Sequence, residues 1–199
     1  MFAVAGLMAL GFCASVLPDT GDFGPLRGGE PIGPVEGPGK DDRLKLVRSG
    51  TDPALPAAWS TYRASDGTFG AVGPKAFERE DRGRTIAFVF ESVGPIADLV
   101  LEVQALRGSS ATRSALERVT AIFLDDLAAV EVARTWTTTG DGTELEVDAR
   151  RGDRAYTIRT LAGHRRLYRI WASYPVRIDE DGLLPVRLFL DGLTVPPPR

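Results

Sequence analysis

Regular alternation of apolar and polar positions begins in the second third of the chain and continues almost to its end. In "DLVLEVQALRG" (98–108), Leu99, Leu101 and Val103 fall on one side and Glu102 and Gln104 on the other, the period of two expected of a strand. "TIAFVFESV" (85–93) is an apolar run with β-branched and aromatic residues, and "GTFGAVGP" (67–74) reads as a short strand closed by Gly73–Pro74. Three strands are therefore expected before any helix. From Thr112 to Ala128 the period changes. Ala115, Leu116, Val119, Ile122, Phe123 and Leu127 recur at helical spacing, and Arg113, Glu117, Arg118 and Thr120 take the opposite face. Ser109, Ser110 and Ser114 are the capping options, Ser114 with Glu117 three residues on.

Strand patterning then returns. "VEVARTWTTT" (130–139) and "TELEVDAR" (143–150) meet across Gly140–Asp141–Gly142, whose glycines permit positive φ. Leu145, Val147 and Ala149 point one way and Glu144, Glu146 and Asp148 the other. "RAYTIRTL" (154–161) follows "RGD", "RLYRIWAS" (166–173) follows "AGHR", and the segments form a meander of hairpins. Pro185 suits the first turn of a short helix in which Val186, Phe189, Leu190 and Leu193 recur, with Gly192 placed to end it. No internal repeat is evident.

Before residue 55 the pattern is of another kind. "MFAVAGLMALGFCASVL" has no charge before Asp19, so residues 1–17 read as a signal peptide or a membrane or lipid anchor, although the usual basic start is missing. Cleavage after Ser15 is one option. Lipidation of Cys13 in "LGFC" is another, with Phe12 standing where a small residue is usual. Residues 18–54 are rich in Gly and Pro and poor in aliphatics, which predicts a flexible tether. "DRLKLVRSG" (42–50) fits either a short edge strand or more tether. Anchor, tether and a patterned domain over 55–199 together imply an envelope protein on the outer side of a bacterial cytoplasmic membrane or in the periplasm, with membrane contact through residues 1–17.

Composition narrows the chemistry. A chain of 199 residues has room for one domain plus a tail. A net charge of −3 disfavours nucleic acid as a partner. One cysteine and one histidine leave no intramolecular disulfide and no Cys-based zinc site, and no cofactor is expected. The single histidine, His164, lies between Gly163 and the pair Arg165–Arg166. In the expected hairpin the positions alternating with the apolar ones present Arg159, Arg169 and Trp171, and Glu144, Glu146 and Asp148 supply acidic cross-strand neighbours, giving a charge ladder.

Arg159, His164, Arg165, Arg166, Arg169 and Trp171 are thus the binding candidates, and two readings of them stand side by side. In one they form strands and a hairpin tip. In the other His164 is a general base or an anion ligand. A general base needs an orienting carboxylate and a nucleophile or water site. No local G-x-S-x-G, H-E-x-x-H or phosphate loop supplies these, and a hydrolase would have to borrow a distant acid such as Asp179. No catalytic residue is expected. Asp179, Glu180 and Asp181 before Gly182 lack the rest of a calcium loop and read as a solvated turn. "RGD" (151–153) reads as a tight turn.

"WSTYRASDGTFGAVGP" resembles the start of PsbP-like domains, where an aromatic lead-in precedes a Gly-x-Phe strand ended by Pro. "RLYRIWA" resembles that family's late strand carrying Leu–Tyr, and "RLFLDGLTV" its closing segment, with Gly192 in place of the usual Ser. The resemblance spans roughly residues 57–196. It implies an α+β fold, an α/β/α sandwich in which an antiparallel β-sheet has helices packed on both faces. The family has no shared catalytic residues to carry over. It therefore implies a non-enzymatic role: a membrane-tethered domain that binds or helps assemble another envelope protein. A small-molecule or lipid carrier with a pocket between sheet and helix is the alternative.

Overall fold

In the computed structural model, which describes residues 44–106, 112–139 and 142–196, the patterned segments become ten strands and two helices. Cys13, the anchor, most of the tether, Ser109, Ser110 and the Gly140–Asp141 pair lie outside the described residues. Strand dominates. β1 (Leu46–Gly50), β2 (Trp59–Ala64) and β3 (Gly70–Pro74) form a small antiparallel sheet in that order. The large sheet has seven strands in the order β4-β5-β6-β10-β9-β8-β7. Its members are β4 (Phe77–Arg82), β5 (Thr85–Phe90), β6 (Asp98–Ala105), β7 (Val130–Thr139), β8 (Gly142–Arg151), β9 (Arg154–Gly163) and β10 (Arg166–Pro175). Every pairing is antiparallel.

One crossover sets the topology. After β6 the chain runs through α1 (Arg113–Leu127) to the far edge of the sheet, and the meander β7-β8-β9-β10 brings it back to pair with β6. β5, β6 and β10, now central, are buried through both their odd and even positions, and their alternate residues divide between two apolar clusters. Phe88, Leu99, Leu101, Tyr168 and Ile170 pack with the small sheet and with Val186, Phe189 and Leu190 of α2 (Glu180–Asp191). Ala87, Val100, Leu167 and Trp171 pack with Leu145, Val147 and Ile158 and with Leu116, Phe123 and Leu124 of α1. No helix among the described residues is long and apolar enough to cross a membrane.

Several expectations are corrected. Six strands precede α1 rather than three, because β1, β2 and β4 carry weak patterning. Residues 44–54 belong to the folded unit and not to the tether, since Leu44 and Leu46 are buried against the small sheet and the large one. The N-cap of α1 is Thr112, whose Oγ1 accepts from Ala115 N, and Ser114 sits inside the first turn. Thr120, placed on the polar face by spacing, is buried and donates to Thr160 Oγ1 at 3.2 Å, while Ile122 is partly exposed. α2 begins five residues before Pro185. Asp179 caps it through a 2.8 Å bond from Gly182 N to Oδ1, and Glu180 and Asp181 form an acidic first turn that complements the helix dipole. The expected solvated turn is therefore a helix start. Gly192 does close α2, but with a right-handed φ of −71°, so left-handed freedom is not its role. A Cβ at Gly192 would lie 2.4 Å from Val72 Cβ, and the missing side chain lets the helix end sit against β3.

Candidate functional site

The β9–β10 hairpin carries all six binding candidates. Gly163 pairs with Arg166, so the loop is the two residues His164 and Arg165, with φ of 51° and 60°. Two successive positive φ values define the turn that matches strand twist, and they normally call for Asn or Gly. Gly163, which precedes the turn, is not among the positive-φ glycines and has another role. A Cβ there would stand 2.7 Å from Val195 Cγ1, and its absence lets the C-terminal segment cross the hairpin.

That segment is pinned at two points. Gly70 and Thr194 exchange backbone hydrogen bonds of 2.8 and 3.0 Å, tying it to β3. His164 Nε2–H donates to Pro196 O at 2.5 Å. The lone histidine thus latches the chain's end. The arginine that follows the turn, Arg166, reaches from the tip to the β2–β3 loop, where it donates to Asp66 Oδ2 and, at 2.8 Å, to Thr68 Oγ1. Burial pushes the Asp66 carboxyl up, but the bonds from Arg166 and Thr68 outweigh it and hold the group below its ordinary 3.8. Arg165 itself is exposed, and its backbone carbonyl accepts from Leu106 N at 2.9 Å.

Arg159 and Arg169 do not share a face. The register sets Arg159 opposite Ile170 and Arg169 opposite Thr160, which sends the two guanidiniums to opposite sides of the sheet. The single charge ladder expected from alternation is therefore two separate clusters. On the α2 side, Arg159 forms a bidentate pair with Glu144, 2.6 Å from Nε and 3.0 Å from Nη2, and donates from Nη1 to Leu190 O and to Asp191 Oδ1. It fastens the C-terminal end of α2 to the sheet with charge-assisted bonds, the strong kind. Glu146, opposite Arg159 in register, lies at 3.8 Å. Burial raises the Glu146 carboxyl above its ordinary 4.5, and repulsion from Asp148, Glu144 and Asp191 adds to this against the pull of Arg159.

On the α1 side, Arg169 faces its register partner Glu102, whose side chain is 6% exposed. The carboxylate takes bonds from Arg169 Nε at 2.7 Å and Arg82 Nη1 at 3.2 Å. The Arg169 guanidinium also lies 3.8 Å from the centre of the Phe123 ring of α1, a cation–π contact. Trp171 packs its ring 5.5 Å from the same Phe123, and its buried Nε1 has no hydrogen-bond partner among the described residues. It is a core residue. Asp179, the distant acid considered for His164, is occupied in capping α2.

An open cleft of about 540 Å³ lies beside the hairpin tip, between the small sheet and the C-terminal segment. Tyr62, Arg63 and Phe69 line it together with Ser49 and Thr194–Pro196. It is not the expected pocket between sheet and helix. Residues of α1 and α2 pack into the two apolar clusters of the large sheet. Sequence patterning missed this cleft because its walls come from three short strands and the last residues of the chain, with no local motif to join them.

By sequence, no family model matches and no curated protein is significantly similar. By structure, the chain is similar to the solution structure of cyanobacterial PsbP (CyanoP) from Synechocystis sp. PCC 6803, with a TM-score of 0.53 at 12% identity, over 74% of this chain and 98% of that one. The fold is PsbP-like. A structure from Bacteroides thetaiotaomicron VPI-5482 aligns with a TM-score of 0.35 at 10% identity, over 68% of this chain and 48% of that one. Within the PsbP-like unit, the charged candidates serve as ties: Arg159 holds α2, Arg169 holds α1, Arg166 holds the small sheet and His164 holds the C-terminal segment.

Proposed function

We propose that the chain is a non-enzymatic, membrane-tethered envelope domain that binds or helps assemble another envelope protein on the outer side of a bacterial cytoplasmic membrane. One observation supports it above the rest. The side chains that sequence offered for chemistry are engaged in joining elements of the fold, and the hydrolase reading finds His164 and Asp179 each bound elsewhere. Such a domain works by its surface. In this reading α1 and α2 cover the two faces of the large sheet, the tether spaces the domain from the membrane, and residues 1–17 hold it there.

The cleft favours a second reading, a small-molecule carrier, because Arg63 in its lining suits an anionic ligand. Mild-detergent affinity purification of the full-length protein from its native host, with mass spectrometry of bound proteins and extractable lipids, separates the two. A stoichiometric envelope protein is the expected result. A stoichiometric small molecule or lipid without a protein moves the carrier reading ahead, and the absence of both overturns the assembly role.

A further inference from the structure

One wall of the cleft beside the hairpin tip is held by a residue in strained backbone. Thr194, Val195 and Pro196 form that wall, and His164, at a φ of 51°, bonds Pro196 O through Nε2. A residue other than glycine at positive φ carries a steric penalty, and such positions concentrate at ligand sites and switch regions. Asn or Gly at the tip would form the same turn more easily, but neither would bring an imidazole to Pro196. Missing side chains seat the segment as well. A Cβ at Gly70 would stand 2.8 Å from Thr194 Oγ1, and one at Gly163 would collide with Val195.

The rest of the lining carries a single charge, that of Arg63. Arg63 is exposed on β2, opposite Val47 and Gly70 in register, and its guanidinium holds no hydrogen bond or ion pair among the described residues. No carboxylate lines the cleft. Asp66, next to Gly67 of the lining, is already taken by Arg166 and Thr68. Ser49 and Thr194 add hydroxyl groups, so the donors present favour an anion and nothing present favours a cation. The volume of about 540 Å³ is that of a small-molecule site.

We propose that the cleft binds a small molecule through its carboxylate or phosphate group on Arg63, and that the C-terminal segment latched by His164 is the wall that closes on it. The oxyanion takes two guanidinium N–H groups side by side, a fork that lysine does not have. Thr194 brings its hydroxyl from the segment, so a ligand held by Arg63 and Thr194 ties the segment down. His164 is a positioning residue, acting on the ligand through Thr194. This deepens the carrier reading and is independent of the assembly role.

Amide NMR of the full chain in mild detergent, titrated with inorganic phosphate and separately with succinate, tests the site. Saturable shifts at Gly67, Gly70 and Thr194 are expected with at least one probe, and the tighter one identifies the group. Arg63→Gln is expected to weaken binding about tenfold or more, the worth of a charge-assisted hydrogen bond, and Arg63→Lys to recover part of it. Arg84→Gln, at an exposed arginine in the β4–β5 turn, is expected to change nothing. His164→Asn keeps a residue suited to positive φ and removes the latch. It is expected to weaken probe binding and to speed hydrogen exchange of the Thr194 amide, which bonds Gly70 O. Bound probe is expected to slow that exchange in the wild type and not in Arg63→Gln, a response that a merely structural latch would not give. No saturable shift with either probe, binding indifferent to Arg63→Gln, or Thr194 exchange unmoved by His164→Asn or by bound probe would each overturn the proposal. The probes are added to purified protein, so a chain that binds them at Arg63 but carries nothing from its host keeps the site and loses only the carrier role.

Discussion

At the scale of single residues, the β9–β10 tip shows how one sequence feature can be read for the wrong property. Gly163 stands where a hairpin glycine is expected, yet positive φ falls on His164 and Arg165, which pay the steric penalty of left-handed backbone. Arg165→Gly removes that penalty, about 1–2 kcal/mol, and adds the roughly 0.5–1 kcal/mol entropic cost of glycine. The expected result is a gain of about 0.5–1 kcal/mol in urea unfolding; a loss would mean that the Arg165 side chain holds the fold. Glu146 makes a second prediction at this scale. Its carboxyl, raised in the folded state, keeps its proton more tightly there than in the unfolded chain. Stability is therefore withdrawn as pH climbs from the ordinary carboxylate value through the higher folded one. Glu146→Gln is expected to be more stable than wild type at pH 7 and to match it at pH 3, with urea midpoints at both pH values as the measurement. Burial and three neighbouring carboxylates cause the shift, and only the docking of α2 on the sheet brings Asp191 into that group.

At the scale of elements, those with a strong period were legible and those with a weak one were not. β8 carries clean alternation, β6, β9 and β10 are long runs rich in apolar, β-branched and aromatic residues, and α1 carries a helical stripe, so these elements were legible from the residues. β4 was missed because "FEREDR" has one apolar residue, which is what an edge strand with little to bury looks like. β2 was missed because Trp59, Ser60, Tyr62 and Ala64 are all buried, which erases alternation. The start of α2 was misplaced for a related reason. Asp179 to Asp181 look like a loop by composition, but an N-cap and an acidic first turn have that same composition. Asp179→Ala is expected to cost about 1 kcal/mol in thermal or urea unfolding, the typical worth of an N-cap. No change would remove Asp179 from the capping role.

At the scale of the whole molecule, the small sheet and the C-terminal segment hold the parts that sequence left separate. Tyr62 of β2 meets Phe77 and Phe90 of the large sheet with ring centres 5.4 and 5.7 Å apart, and Phe90 meets Phe189 of α2 at 5.2 Å. Such edge-to-face aromatic contacts add to area burial. Leu44 and Leu46 belong to the same cluster. A chain shortened to begin at Leu55, the boundary suggested by composition, is expected to lose about 3–6 kcal/mol relative to one beginning at Arg43, from two buried leucines at roughly 1.5–3 kcal/mol each. Equal urea midpoints for the two chains would show that β1 adds nothing. By itself the sequence determined the hairpin meander, the position of α1 and the apolar face of β8, because each rests on periodicity or turn chemistry within a few residues. Only the tertiary structure decided that Arg159 and Arg169 face opposite ways, that His164 binds Pro196, and that a cleft opens beside Tyr62 and Phe69. These depend on cross-strand register and on contacts between residues distant along the chain. A one-residue slip in register exchanges the faces of a strand, and a period of two along one strand carries no information about its neighbour's offset.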